Sequence, residues 1–432
     1  MISRRSFVAL QHRNFRLIWI GLFFSFTGST MQNAALLWQV SLLVPSDQKG
    51  LALGLVGLVR VVPIVVFSML GGVVADAWNR RRLMLFTQTG SALVALSLAY
   101  LTFRGLSSVW PIYVLAALSS AVAAFDLPAR HALVPMLVPR EHLPNAIGLN
   151  ATMFQTASVA GPALGGLMIA TAGLGWTYVG NTLAFGCVIT ALLAMRNVRD
   201  REPSEGGSRD DVSLGAALEG LRFVFRAPLI RSTMLLDFFA TFFSSATALL
   251  PIYAQDILHV GARGYGVLYA APAAGALVTS AAMVVLVERI SRRGPTLLWA
   301  VGGYGLATVV FGISRSFWMT FACLALIGAS DTVSVVIRNI IRQLETPDRL
   351  RGRMAGVNMV FFVGGPQLGE FEAGLVANWL GATFSVISGG VGCLAATIWV
   401  AATTPALRHY GKPDESGLTA LGSRLTGLSP KP

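Results

Sequence analysis

Residues 51–74 read LALGLVGLVRVVPIVVFSMLGGVV, with one charge, Arg60, and they run directly into Ala75-Asp76-Ala77-Trp78-Asn79-Arg80-Arg81-Arg82. An apolar run of about 20 residues is long enough to cross a hydrocarbon core about 30 Å thick as a helix. Arginines crowded immediately after such a run mark a membrane edge, since basic residues gather on one side of the bilayer. The same pattern predicts five further spans in the first half of the chain, at 15–43, 83–103, 109–127, 145–170 and 177–196. Six more follow at 230–254, 264–287, 295–313, 317–337, 354–377 and 379–402.

Composition supports this reading. In 432 residues, 54% are hydrophobic and 12% charged, with a mean hydropathy of +0.65, more apolar surface than one soluble core can bury. The fold class is therefore an all-α membrane protein of twelve helices. The first apolar run has no small-residue cleavage site at signal-peptide distance and is read as a retained span. The net charge of +13 is spread over the loops and does not form one basic face, so nucleic acid is not expected as a partner. Twelve spans put both termini on one side. With that side cytoplasmic, only Lys49, Arg104, Arg263 and Arg315 fall on outer loops, which predicts a bacterial inner-membrane protein with both termini inside. Trp110, Trp176, Trp318 and Trp379 fall at the outer helix ends, where an amphipathic ring prefers to lie. Cys187, Cys323 and Cys393 stand alone in apolar stretches, and the five histidines lack metal spacing. No phosphate-binding loop, His-Glu-x-x-His or Gly-x-Ser-x-Gly occurs, so no enzyme, metal or cofactor is expected.

The chain also repeats itself. At an offset of 212 residues Gly54 meets Gly266, Asp76 meets Glu288, Arg80 and Arg81 meet Arg292 and Arg293, and Gly90 meets Gly302. With a small gap Pro139, Gly148 and Asn150 meet Pro347, Gly356 and Asn358, and Asp126 meets Asp331. This ordered series divides the chain into a six-helix half over 1–197 and another over 229–403, followed by a tail over 404–432. Residues 198–228 form a linker that begins Arg201-Glu-Pro-Ser-Glu-Gly-Gly-Ser-Arg-Asp-Asp. Leu214, Leu218, Leu221 and Phe225 then recur at helical spacing, which predicts an amphipathic helix on the membrane surface. Duplicated membrane halves are the architecture of carriers with a midplane site exposed alternately to each side.

The loop Gly72-Val-Val-Ala-Asp76-Ala-Trp-Asn79-Arg80-Arg81 resembles the Gly-x-x-x-Asp-x-x-Gly-Arg-Arg/Lys signature of the major facilitator superfamily. Asn79 replaces the second glycine and can take the same left-handed backbone. The resemblance implies a gating loop in which Gly72, Asp76, Arg80 and Arg81 latch against the opposite half. The second copy, Glu288-Arg289-Ile-Ser-Arg292-Arg293-Gly294, is degenerate. In the fifth span Gly148, Ala157, Gly161, Pro162, Gly165 and Gly166 resemble that superfamily's exporter motif, Gly-x8-Gly-x3-Gly-Pro-x2-Gly-Gly. Small residues allow close helix approach, and the proline removes a backbone bond and permits bending. Asn14-Phe-Arg-Leu-Ile-Trp, Leu143-Pro-Asn-Ala-Ile-Gly-Leu-Asn150 and Gly365-Pro-Gln-Leu-Gly-Glu-Phe-Glu-Ala-Gly374 look like the branch that holds the enterobactin exporter and the macrolide efflux proteins.

That resemblance implies export of a small organic molecule (a drug, siderophore or amphiphilic metabolite) by a monomer in exchange for protons. Proton-coupled uptake and a non-transporting scaffold or sensor are the rival readings. Ionisable residues inside a membrane are costly and point to function. Those read within spans are Arg60, Asp237, Asp331, Glu370 and Glu372. Arg60 lies nine residues, roughly 13 Å, from the outer end of its span and needs a partner. Glu370 lies at similar depth on the eleventh span, so an Arg60 to Glu370 contact across the halves is expected. Asp237, on a span that lines the cavity in this superfamily, is the first candidate to load and release a proton. Asp126 and Asp331 are expected to act as polar gates or caps near the inner ends of spans 4 and 10. Gln32, Asn33 and Gln39 are substrate-binding candidates, and Phe238 and Phe242 could offer an apolar wall.

Overall fold

A computed structural model describes residues 4–196, 221–243, 245–347 and 350–411. Twelve long helices form the body: α1 (Arg13–Leu43), α2 (Lys49–Ala77), α3 (Arg80–Phe103), α4 (Trp110–Leu133), α5 (Leu143–Thr171), α6 (Leu174–Ala194), α7 (Pro228–Phe243), α8 (Gly261–Leu286), α9 (Arg293–Ile313), α10 (Phe317–Glu345), α11 (Arg351–Leu380) and α12 (Ala382–Thr403). There is no strand among the described residues. Ten of the spans meet the length and apolarity that a bilayer crossing requires. α1 is long enough at 31 residues, but Gln32, Asn33, Gln39 and several hydroxyls lower its hydropathy. That polarity is what a helix facing an internal cavity carries. Most of the linker, with Leu214 and Leu218, and the tail after residue 411 lie outside the described residues. Residues 221–226 are helical, with Leu221 and Phe225 exposed.

Local signals set the helix ends. Asn79 does not adopt the left-handed backbone expected of it. It sits at φ −59°, ψ 116° and accepts a hydrogen bond from the Arg82 backbone N–H, so it caps α3. Pro111 and Pro144 open α4 and α5, where a missing N–H costs nothing. Gly173 and Gly381, 208 residues apart, take φ 92° and 88° and start α6 and α12 after turns of two residues and one. Positive φ strains any residue with a Cβ, so glycine at both positions is a backbone requirement.

Three boundaries differ from expectation. α10 continues eight residues past 337 to Glu345, and α4 continues to Leu133. The seventh span is broken: after α7 come a 3-10 turn at Ala246–Leu249, a short helix at Leu250–Ile252 and a π turn at Tyr253–Ile257. Ser245 Oγ donates to the Thr241 carbonyl at this break, and Pro251 can supply no N–H. All four tryptophans expected at helix ends lie at the face opposite the termini, called the far face here, and each is more than half exposed.

Packing follows the repeat. Within the first half α1 lies against α5 and α6, α2 against α4, and α3 against α4 and α6. In the second half α8 lies against α10, α9 against α10 and α12, and α7 against α11 and α12. The halves meet along two seams, α2 with α11 and α5 with α8. Gly54 faces Gly374 in the first seam, and a Cβ built on Gly374 would lie 2.5 Å from the Gly54 Cα. Gly166 faces Gly266 in the second, and a Cβ on either would lie 2.6 Å from the other's Cα. Gly54 and Gly266 are repeat equivalents at 212 residues, and Gly166 and Gly374 stand 208 apart. The two seams are thus the same glycine contact made twice. All four glycines lie five or six residues from the far-face ends of their helices, so backbone contact closes the halves at that face.

Candidate functional site

Beside the seams α1, α2, α3, α4 and α6 surround a cavity of about 640 Å³, with Gln367 of α11 completing the wall. Its lining is mixed. Phe26, Leu36, Ile64 and Leu98 supply apolar surface, and Ser25, Ser29, Ser91, Ser119 and Ser120 line it with hydroxyls. Three ionisable groups face it, Arg60, Asp126 and Arg130. A concave, largely apolar space with few polar anchors and several hundred Å³ in volume is the form of a small-molecule site.

Asp126 is saturated. Thr87 Oγ1 and Gln88 Nε2 donate to its Oδ1 at 2.7 and 2.8 Å, and Arg130 pairs with Oδ2 one helical turn away. Ser25 continues the chain by donating to Gln88 Oε1 at 3.1 Å. The Arg130 guanidinium also lies over the Phe26 ring, 4.1 Å from its centroid. Asp126 therefore binds α3 to α4 and holds its arginine at the cavity wall.

Arg60 does not form an ion pair with Glu370. Its Nη2 donates to Asn33 Oδ1 at 3.1 Å, and no carboxylate lies within 4 Å of it among the described residues. Glu370 stands across the first seam, and a Cβ on Gly57 would come within 3.1 Å of its Oε2. That oxygen is shut off from solvent with no hydrogen-bond partner. Arg60 and Tyr269 lie within electrostatic range of Glu370. The two residues are thus near one another but separate: the guanidinium turns toward the cavity and the carboxylate toward the seam.

Asp237 is buried, at 3% exposure, and doubly paired. Arg338 Nη2 sits 2.8 Å from its Oδ1, and Arg342 Nη2 sits 3.4 Å from its Oδ2. Arg342 also donates to the Thr233 carbonyl and to Asn358 Oδ1, which ties α7, α10 and α11 together. Asp331 lies 3.7 Å from Arg338. Both arginines lie past the expected end of the tenth span at 337, in the part of α10 that continues to Glu345. The signal was present: Asp331, Ser334, Arg338 and Arg342 recur at spacings that put them on one helix face. Arg338 stands 208 residues from Arg130, the offset that relates Pro347 to Pro139. Each half therefore carries an arginine at the same place, paired within its own helix in the first half and across to α7 in the second.

The other candidates divide. Gln32 accepts from Asn181 at 2.8 Å, and Gln39 accepts from Tyr178 at 2.7 Å while donating to Thr102, so both fasten α1 to α6 or α3. Gln32 still reaches the cavity wall, as does Asn33. Phe238 and Phe242 stack at 5.5 Å and are not among the lining residues. Gly161 packs on Thr27 and Thr30 of α1 and Gly165 on Met31, whereas the Pro162 carbonyl and Gly166 meet Gly266 of α8. The motif in α5 thus has one face inside its half and one across the seam. Arg80 donates to Met136 and Arg81 to the Leu192 and Leu193 carbonyls, all within the first half. The side chains of Gly72 and Asp76 lie outside the described residues. A contact that sequence reading assigned only to topology is Lys49, whose Nζ lies 2.9 Å from Asp256 across the halves at the far face. Gln255 accepts from the same ammonium and donates to Ser41 of α1.

Comparison with known proteins agrees with this architecture. The enterobactin exporter of Escherichia coli (strain K12) is 28% identical over 400 residues, covering 92% of this chain and 94% of that protein. The enterobactin exporter of Citrobacter koseri is 28% identical over 403 residues, 93% and 94% of the two chains. Among solved structures, a POT family transporter in complex with 5-aminolevulinic acid superposes with TM-score 0.70 at 11% identity, over 91% of this chain and 96% of that one. A bacterial homologue of the iron transporter ferroportin in an inward-facing state gives 0.68 at 17%, over 92% and 99%. A bacterial homologue of the lysosomal transporter Spinster, inward-facing and unoccupied, gives 0.65 at 16% over the full length of both. The model of the family described as transmembrane secretion effector matches residues 4–416, and the chain belongs to this family of major facilitator transporters.

Proposed function

We propose that the protein exports a small organic molecule across a bacterial inner membrane by alternating access, in exchange for protons, with its termini in the cytoplasm. The observation that carries the reading is the paired glycine seam at the far face together with a cavity lined mainly by the first half. Two equivalent backbone contacts that join the halves at one face are what a rocking pair of halves presents in one of its two states. The 28% identity to an enterobactin exporter over most of both chains supports export and makes that siderophore the first cargo to try.

Among the proton-coupling candidates Glu370 fits best. A carboxyl with an unpartnered oxygen, buried in a seam that must open, meets solvent in one state and not in the other, so proton binding there can be linked to the change of state. Arg60 lies within electrostatic range of it. Asp237, with each oxygen taken by a guanidinium, fits better as the tie between α7 and α10.

Inverted membrane vesicles loaded at acid pH test the reading. Protons leaving the lumen drive enterobactin in, and collapse of the gradient abolishes the accumulation. Accumulation only when protons enter together with the cargo refutes exchange.

A further inference from the structure

We infer that the cavity selects organic anions, and that Arg60 is the residue that binds the anionic group. The inference rests on the transport reading and names the charge class of the cargo. Arg60 sits eleven residues into α2, roughly 16 Å from its far-face end, too deep to extend to the interface. A guanidinium carries five N–H donors, and the partner found for this one is a neutral amide oxygen, Asn33 Oδ1. The second cation of the cavity, Arg130, already has its carboxylate in Asp126. The one lining carboxylate already has its counter-ion in Arg130 and accepts from Thr87 and Gln88 as well. Glu370 turns its free oxygen into the seam and away from the cavity. The ionic balance of the lining is therefore one positive charge in excess, in a low-dielectric space where an unpaired charge is costly.

A carboxylate or ionised phenol answers that imbalance with a forked, charge-assisted pair. The serines on α1, α3 and α4 suit a polar, hydroxylated body, and Phe26 and Ile64 suit the flat face of a ring. A cationic amphiphile finds no free counter-charge here. Asn33 then acts as the positioning residue that aims the guanidinium at the cavity.

The test uses a matched pair of probes that differ in charge and hardly in shape, 1-hydroxy-2-naphthoate and 1-hydroxy-2-naphthamide. Binding of each to the purified full-length protein in lipid nanodiscs is followed by probe fluorescence, with no gradient present. The wild type is expected to favour the anion by roughly ten-fold or more, the size of a charge-assisted bond against a neutral one. Arg60→Gln removes the preference. Asn33→Asp, nearly the same shape, places a carboxylate 3.1 Å from the guanidinium and removes the preference without deleting the arginine, so it keeps the test sound where Arg60→Gln does not fold. Arg104→Gln, an exposed cation on the α3–α4 turn, leaves the preference unchanged. Equal affinity for the two probes in the wild type, or a preference that survives either Arg60→Gln or Asn33→Asp, overturns the inference. Failure of proton-driven accumulation in vesicles leaves this binding result intact, so the two readings fall separately.

Discussion

Replacing Gly374 with alanine tests whether the glycine seam sets the balance between the two states. The added Cβ would lie 2.5 Å from the Gly54 Cα and 2.5 Å from the Gly50 carbonyl oxygen. Carbon atoms settle at about 3.5 Å or more, so α2 and α11 must part by about 1 Å there. Both obstacles are backbone, and no rotamer change relieves them. Overpacking of this kind costs about 1–3 kcal/mol, and the whole of it falls on the state in which the far face is closed. At about 1.4 kcal/mol per factor of ten, the population shifts toward the far-face-open state about 5- to 150-fold. Spin labels on the far-face turns of opposite halves, read by double electron–electron resonance in nanodiscs, report that shift as growth of a longer distance. Gly148→Ala is the control, because nothing lies within 4 Å of the Cβ it would add, although Gly148 belongs to the same sequence motif as Gly166. Gly166→Ala, at the equivalent seam, reproduces the effect of Gly374→Ala. An unchanged distance distribution in both seam variants, with the protein folded, refutes the claim that these contacts close the far face.

Other consequences follow from the charge networks. Asp237→Ala leaves Arg338 and Arg342 buried without their shared carboxylate and is expected to destabilise the protein by about 3–5 kcal/mol, read as a lowered melting temperature in detergent. Asp237→Ala/Arg338→Ala is expected to be milder than the sum of the single changes, and additivity would show that the pair is not coupled. Lys49→Gln removes the far-face ion pair. Because Asp256 is 41% exposed, the cost is at most about 1 kcal/mol and the growth of the long distance is smaller than for Gly374→Ala. Glu370→Gln keeps exchange of labelled for unlabelled cargo but abolishes accumulation driven by a pH gradient; retention of gradient-driven accumulation would remove Glu370 from the coupling step.

The spans, the repeat and the family resemblance were legible in the sequence because each rests on a pattern with a physical period. An apolar run long enough to cross a bilayer, a fixed offset between halves and small residues at helical spacing can all be read along one chain. What was missed lay between elements. Lys49 reads as a loop charge until α7 and its π turn bring Asp256 to it. The tenth span was cut at its first arginine because hydropathy falls at any charge, whereas the helix continues and buries Arg338 against Asp237. Asparagine tolerates a left-handed backbone, but at Asn79 the side chain supplies a cap instead. Gly166 and Gly266 were both singled out, one as motif and one as repeat match, but that they touch follows only from the packing of α5 on α8.

The halves share one seam contact and one arginine position, and they differ in what they do with the charge. In the first half Arg130 is paired within its own helix, so α1 is held to its neighbours by amides and hydroxyls and a cavity remains beside it. In the second half Arg338 and Arg342 reach across to Asp237 and clamp α7 to α10 and α11. The same bundle plan thus gives one half that can receive a molecule and one that is cross-braced. Motion of the braced half as a unit against the cavity-bearing half would have to open the two glycine seams and break the contacts Lys49–Asp256, Gln255–Ser41, Tyr265–Ala34 and Gln155–Ala273. These contacts are non-covalent and lie between the halves, so such a motion would leave the interiors of both halves intact.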